Sequence, residues 1–147
     1  MIEISIIERD MTPSELERMN TGFDENAIEH GVIPQSDQRL GYVAMEGEKF
    51  IGCVSGLACK DGNEFNGWCY LSDLFVEKEY RHQGIGANLL HKLERKLWQY
   101  QINKIWTWTA GYEAPKFYIK QGYEIFAELE NWYSNNDSRV GLRKQLK

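Results

Sequence analysis

The sequence predicts a single α/β (α+β) domain over residues 1–147, built on a mixed, mostly antiparallel sheet of seven strands with about four helices on its faces. A length of 147 residues suits one domain with a buried core. Three strand-like runs follow one another before residue 77, which favours antiparallel pairing. Strand and helix patterns then alternate, which favours β-α-β units and a mixed sheet.

The N-terminal part predicts one strand and two helices. Residues 2–7 are rich in isoleucine, which is typical of a strand. Thr12 can cap a helix, and Glu15 can close a capping box with it. Asp24 can cap a second, short helix that ends at Gly31.

The next segment predicts a run of antiparallel strands. Residues 40–45 and 49–57 form two strands joined by a tight turn at 46–48. A polar hairpin loop at 60–67 leads into a long strand at 68–76.

The second half predicts helices between strands. Residues 84–100 form the strongest helix of the chain, because one of its faces is apolar: Ile85, Leu89, Leu90, Leu93 and Leu97. A strand at 104–109 and a short helix at about 113–121 follow. Residues 123–129 and 138–146 are the closing strands.

Composition excludes several classes of protein. The formal net charge is -5, whereas a general nucleic-acid binder is normally basic. No apolar run reaches the length of a membrane span, and residues 1–10 do not form a signal peptide. The three cysteines and three histidines form no metal-binding motif. We therefore expect a cytoplasmic protein with reduced cysteines, no metal, no nucleic acid and no membrane partner.

A candidate anion site lies where a loop enters the long helix. Gly84 and Gly86 open this helix, and its first backbone N–H groups have no partner within it. Glycines let an anionic group approach such N–H groups closely. The P-loop and the dinucleotide fingerprint both fit poorly, because Ala87-Asn88 replaces Lys-Ser/Thr and the third glycine is missing. Without further context, two glycines at a helix start also suit simple packing.

The run Arg81-His82-Gln83-Gly84-Ile85-Gly86 lies between the fourth strand and the long helix. It matches R/Q-x-x-G-x-G/A, the pyrophosphate motif of the GNAT superfamily of N-acetyltransferases, which the chain resembles. A second signature is matched at Ala114, Tyr118, Gly122 and Tyr123, although Gly111 replaces its usual asparagine. The length and the order of elements resemble the family over almost the whole chain.

This resemblance implies acetyl-CoA as the co-substrate. The backbone of Leu74, Phe75 and Val76 is then expected to pair with the pantetheine arm like an added strand. One of these N–H groups polarises the thioester carbonyl. Tyr118 is the implied general acid, and its alternative role is a core aromatic residue. The implied pyrophosphate-binding residues are Arg81, His82, Gln83, Gly84, Ile85, Gly86 and Ala87.

Asp73 is the candidate base. The run Tyr70-Leu71-Ser72-Asp73-Leu74-Phe75-Val76 resembles the polyamine and diamine acetyltransferases and some aminoglycoside 3-N-acetyltransferases, in which an aspartate here meets the amine. Other family members carry a carboxylate elsewhere on this strand, and Tyr70 stands at one such position. The alternative for Asp73 is a structural carboxylate.

The acceptor side has several candidates, each with an ordinary structural alternative. Trp106 and Trp108 share one strand face and suit either the core or the site. Acidic and aromatic residues near the last hairpin suit either a cationic guest or a solvated loop: Glu128, Glu130, Trp132 and Tyr133. Glu25 and Glu29 suit either the cleft or a solvated helix face.

Together these observations predict an enzyme that moves acetyl from acetyl-CoA directly to the primary amine of a small, cationic acceptor. No Ser or Cys with a base partner stands out, so no acetyl-enzyme is expected. The alternatives are an aminoglycoside-type acceptor, a protein N-terminus or lysine, and a domain that binds acyl-CoA without catalysis. The sequence leaves a homodimer open.

Overall fold

A computed structural model describes residues 2–112 and 114–147. The chain divides into two compact units between Pro34 and Gln35. In the N-terminal unit, residues 2–7 form no strand, and Ile2, Ile4, Ile6 and Ile7 are exposed. The predicted first strand is therefore wrong for this structure, because a high strand propensity yields a strand only where a neighbour completes the ladder.

One helix, α1 (Pro13–Glu29), replaces the two predicted helices. The capping box is present: Thr12 accepts from the backbone of Glu15, whose side chain accepts from the backbone of Thr12. Asp24 lies inside the helix and does not cap a new one. The chain leaves the helix at Gly31, whose φ of 74° suits a glycine.

The second unit contains one sheet of six strands in the order β1-β2-β3-β4-β6-β5. Its strands are β1 (Gln35–Glu46), β2 (Lys49–Asp61), β3 (Glu64–Val76), β4 (Lys104–Ala110), β5 (Glu124–Leu129) and β6 (Arg139–Gln145). All neighbours are antiparallel except β3 and β4. The mixed, mostly antiparallel sheet is as predicted, with six strands instead of seven.

Two hairpins shape the first half of the sheet. The tight turn predicted at 46–48 joins β1 to β2, and Gly47 has a φ of 59° there. The predicted loop at 60–67 is wrong: β2 runs to Asp61 and β3 begins at Glu64, with Gly62 in the turn. Lys60 pairs with Phe65 and Asp61 pairs with Glu64 at this end, so polar residues lie within the two strands and polarity did not mark a loop.

Two helices belong to this unit: α2 (Ile85–Gln99) and α3 (Pro115–Lys120). The apolar face predicted for α2 lies in the core, together with Leu71, Ile105 and Leu142 of the sheet. The short helix was predicted from about residue 113, and Glu113 lies outside the described residues. The described residues contain three helices and a single helical turn at Lys78–Tyr80, whereas the sequence predicts about four helices.

A polar cluster lies at the edge of this core. The Glu94 carboxylate on α2 accepts a hydrogen bond from the Tyr123 hydroxyl at 2.7 Å and one from Lys144 Nζ at 3.1 Å. Lys144 Nζ also donates to the carbonyl of Gln121 at 2.8 Å. The cluster therefore joins α2 to the end of α3 and to β6.

Candidate active site

A cavity opens where β3 and β4 separate. The two strands pair only from Trp68 to Tyr70, opposite Lys104 to Trp106. Beyond this point Thr107 Oγ1 spans the gap and donates to the carbonyl of Leu71 at 2.8 Å. The space has a volume of about 350 Å³, and it is lined by Leu71, Ser72, Asp73, Leu74, Phe75, Thr107, Trp108, Thr109, Ala110, Tyr112, Tyr118, Tyr133 and Arg139.

A β-bulge at Ser72 changes which side chains of β3 point into the core. The pairing with β2 shifts between Leu71 and Asp73, so Ser72 is the extra residue, and its hydroxyl donates to the carbonyl of Ser55 at 3.2 Å. In a regular strand Leu71 and Asp73 share a face. With the bulge, Leu71 stays in the core and Leu74 packs against it, while Asp73 remains 54% exposed.

The start of α2 forms an open cradle of backbone donors. Gly84 precedes the helix with a φ of 80°, and a Cβ added there would meet nothing within 4 Å. The first N–H groups of a helix have no internal acceptor and carry the positive end of its dipole. Gly84 has no side chain that could cap them. The cradle therefore suits an anionic group.

The residues predicted around this cradle all lie at the loop or the first turn. Arg81 Nε donates to the carbonyl of Val76 at 3.0 Å, which ties the loop to the end of β3. His82 has a φ of 64°, a conformation that few residues other than glycine adopt. Arg81, His82, Gln83 and Gly84 are exposed, and Ile85, Gly86 and Ala87 are half-buried.

Tyr118 of α3 lines the cavity and is 6% exposed. Its ring packs edge-on against Phe117 at 5.3 Å and Tyr123 at 5.4 Å between centroids. Pro115 stands in the first turn of the helix, and Gly122, with a φ of 95°, follows its end. The short helix thus presents the predicted general acid to the same space as Asp73.

Asp73 already has a cationic partner, which the sequence did not indicate. Its Oδ2 accepts from Arg39 at 3.2 Å and from the hydroxyl of Ser72 at 2.9 Å. Arg39 lies on β1, and its guanidinium is 59% exposed. The pair is open to water, so its contribution to stability is small and Asp73 can exchange partners.

The acceptor-side candidates are only partly brought together. Trp108 lines the cavity, and Trp132 and Trp108 both contact the guanidinium of Arg139, with 5.3 Å from its central carbon to each ring. Glu128 is exposed on β5, at the edge of the sheet, and is not among the lining residues. Glu25 and Glu29 belong to α1, where Glu25 pairs with Arg18 at 3.2 Å.

Two of the three cysteines are poor nucleophiles. Burial raises the pKa of the Cys69 thiol to about 12. Burial, and then the negative charge of Asp73, raises the pKa of the Cys53 thiol. Because the thiolate is the reactive form, neither residue is activated for attack on an acyl group at neutral pH.

Residues 37–125 match the family profile of the acetyltransferase (GNAT) domain, more than half of the chain. The chain belongs to the GNAT acetyltransferase family. The fold agrees with an acetyltransferase from Bacillus cereus, at 22% identity and a TM-score of 0.78, over 96% of this chain and 98% of that one. No curated protein matches.

Two further solved structures share the GNAT fold. One is named as a streptothricin acetyltransferase from Bacillus anthracis in complex with acetyl coenzyme A. It is 20% identical, with a TM-score of 0.62, and the match covers 76% of this chain and 65% of that one. The other is the ribosomal-protein-S18-alanine N-acetyltransferase from Escherichia coli. It is 16% identical, with a TM-score of 0.65, and the match covers 86% of this chain and 76% of that one.

The cradle and the separated strands fit the acetyl-CoA that GNAT enzymes use. Gly111 replaces the usual asparagine of the second motif; its N–H donates to the carbonyl of Ser138 at 2.8 Å, and an added Cβ would lie 3.0 Å from the same oxygen. The described residues contain no group of His, Cys, Asp or Glu placed to hold a metal ion. None of their helices has the length and apolar character of a membrane span.

Proposed function

We propose that this GNAT protein transfers acetyl from acetyl-CoA directly to the primary amine of a small acceptor. The observation that carries the proposal is the cavity between β3 and β4, which is lined by the unpaired part of β3, including Asp73, and by Tyr118. The cradle at the start of α2 adds a site for an anionic group. Acyl transfer to an amine needs a site for the thioester, a proton donor for the thiolate and a group that holds the amine.

The chain offers backbone groups for the acetyl donor. Past Tyr70, β3 has no neighbour in β4, so residues Leu74, Phe75 and Val76 can pair with the amides of a pantetheine arm. The cradle at Gly84 is suited to the pyrophosphate. Bound acetyl-CoA supplies the thioester, and a backbone N–H of β3 polarises its carbonyl.

Protons move at both ends of the reaction. An alkylamine with a pKa near 10.4 requires about 4–5 kcal/mol to lose its proton at pH 7. Asp73 holds the ammonium group and accepts or relays this proton to water. The neutral nitrogen then bonds to the acetyl carbon as the carbon–sulfur bond breaks, and the hydroxyl of Tyr118 donates its proton to the sulfur. The nitrogen loses its second proton as the amide forms, and this proton passes through water to the Tyr118 phenolate, which restores the hydroxyl. The raised thiol pKa values of Cys53 and Cys69 favour this direct route over an acetyl-enzyme.

We favour a small acceptor that is cationic at its amine. Asp73 lies in a stretch that resembles small-amine acetyltransferases, and it is accessible on the open face of β3. The similar structures do not indicate one class of acceptor, since one is named for streptothricin and another for an alanine of a ribosomal protein. The acceptor assignment therefore rests on Asp73 and the cavity.

Acetyl-CoA should raise the melting temperature of the protein. A ligand at 100 times its dissociation constant adds roughly 2.7 kcal/mol to the free energy of unfolding. Gly84→Asp should abolish the shift because it places a side chain and a negative charge in the cradle. Gly47→Asp is the matched control, since Gly47 also has a positive φ with nothing within 4 Å but lies in the β1–β2 turn. The proposal fails if the wild-type protein shows no shift at millimolar acetyl-CoA.

Release of free CoA in the presence of primary amines tests turnover. The panel should include polyamines, aminoglycosides, amino acids and peptides, and acetylated products should be identified by mass spectrometry. A protein that binds acetyl-CoA but acetylates none of these amines would be a sensor of acyl-CoA, and the proposed reaction would be wrong.

Asp73→Asn should lower kcat/KM for amines without weakening the binding of acetyl-CoA. A hydrogen bond to a charged group contributes on the order of 1.5–3 kcal/mol. The activity profile should also move to higher pH, because the enzyme no longer helps to form the neutral amine. Asp61→Asn, at the far end of β2, is the control. An unchanged rate and pH profile would assign Asp73 a structural role.

A further inference from the structure

Arg139 lies on the face of the sheet opposite to α2. Its neighbours Val140 and Leu142 on β6 are in the core with α2, so alternation along the strand directs Arg139 to the other face. Trp108 of β4 contacts Arg139 and lies on that same face. Asp73 is exposed there too, because Leu74 beside it packs on the core.

Among the described residues, the guanidinium of Arg139 has aromatic neighbours and no carboxylate partner. It lies 5.3 Å from the ring of Trp108 and 5.3 Å from the ring of Trp132, so two indoles contact it at once. Within the described part of the chain, no Asp or Glu forms an ion pair with it. Its charge is therefore positioned, and no carboxylate in residues 2–112 and 114–147 neutralises it.

The described charges around the cavity have a positive surplus. Among the lining residues that the structure describes, the charged side chains are Asp73 and Arg139, and Arg39 already pairs with Asp73 at 3.2 Å. This surplus stands in a protein whose formal net charge is -5, so it does not follow from overall composition. A bare cation as the whole acceptor would leave the guanidinium of Arg139 without a negative group beside it.

Arg139 is poorly placed to bind the phosphates of the acetyl donor. The cradle at Gly84 begins α2, and α2 packs on the other face of the sheet. Arg139 instead pairs in register with Ala110, at the end of β4, and shares its cavity with Tyr118 and Asp73. Arg139 is therefore placed to meet a group of the acceptor rather than the phosphates of the donor.

We propose that the acceptor carries a carboxylate beside its amine, as an amino acid does, and that Arg139 binds this carboxylate while Asp73 holds the ammonium group. A guanidinium offers two parallel N–H donors that match a carboxylate, which gives direction as well as charge. Arg139 is then the residue that sets specificity. This inference rests on the proposed acetyl transfer and adds the substrate class.

Matched acceptors test the inference. Amino acids with small, aromatic and charged side chains are each compared with their carboxamides, which keep the amine and lose the negative charge. The wild-type enzyme should have a higher kcat/KM for the acids than for the amides. In Arg139→Gln this ratio should fall by roughly 10- to 100-fold, mostly through a higher KM for the acids. Arg139→Lys keeps the charge without the fork and should retain part of the preference.

Arg143→Gln is the matched control. Arg143 lies on β6 as well, over the ring of Phe126 at 5.7 Å, but it is paired with Glu124 at 3.0 Å. This variant should keep the preference for acids. All three variants should keep the melting shift with acetyl-CoA; loss of that shift in Arg139→Gln alone would make Arg139 a residue of the donor site and overturn the proposal.

A binding measurement separates this inference from the proposed reaction. Calorimetry with N-acetyl amino acids and their amides, added to protein saturated with CoA, needs no turnover. Tighter binding of the acids by the wild-type protein, lost in Arg139→Gln, supports a carboxylate site even if no amine is acetylated. Equal binding of acids and amides overturns it while leaving acetyl transfer itself intact.

Discussion

Tyr118→Phe should lower kcat by about a hundredfold or more while leaving acetyl-CoA binding intact, because general acid catalysis typically contributes that much. The ring lies against Phe117 and Tyr123, and phenylalanine keeps those contacts. The change removes the hydroxyl proton that the departing sulfur would take. CoA release at saturating amine measures kcat, and the melting shift with acetyl-CoA measures binding.

Tyr112→Phe is the control for this experiment. Tyr112 lines the same cavity, and its ring contacts Tyr133 at 5.2 Å, so the change also removes a phenol from the site. It should keep most of its activity. Full activity in Tyr118→Phe would mean that the thiolate leaves without a proton or that another group supplies one.

Local sequence signals predicted the parts of the fold that local physics decides. The apolar stripe of α2 buries its residues against the sheet, and the glycine at 84 adopts the left-handed φ that a cradle needs. The tight turn at Gly47 is equally local. The strand predicted at residues 2–7 and the loop predicted at 60–67 were wrong, because both depend on which chain segment lies alongside.

The candidate site divides in the same way. The cradle, Tyr118 and Asp73 lie within short motifs, so the sequence indicated them. Arg39 contacts Asp73 from 34 positions away, and no spacing rule connects them. The bulge at Ser72 follows from a shift of register between two strands. The sequence signal for Arg139 was its place near the aromatic residues of the last hairpin. Its contact with both Trp108 and Trp132 depends on how β4 and β6 pair, so it could not be predicted from the sequence.

Glu94→Ala should cost about 3 kcal/mol of unfolding free energy, the lower end of what breaking a buried charge pair costs. The carboxylate of Glu94 is 11% exposed and its partner Lys144 is 22% exposed. Alanine leaves the Tyr123 hydroxyl, bonded to Glu94 at 2.7 Å, without that acceptor. Burial and then the charge of Glu94 raise the pKa of Tyr123, so its phenol remains a donor at neutral pH. Chemical denaturation measures the loss.

Two comparisons separate desolvation from simple charge pairing. Glu124→Ala breaks an ion pair with Arg143 whose side chains are 69% and 54% exposed, respectively, and it should cost about 1 kcal/mol or less. The triple change Glu94→Leu, Tyr123→Phe and Lys144→Met replaces the whole cluster with apolar groups of similar size. It should recover most of the stability, because the three side chains are then apolar and the carbonyl of Gln121, which accepts from Lys144 at 2.8 Å, is the group that loses a partner. If Glu94→Ala costs no more than Glu124→Ala, water reaches the cluster and burial does not determine its energy.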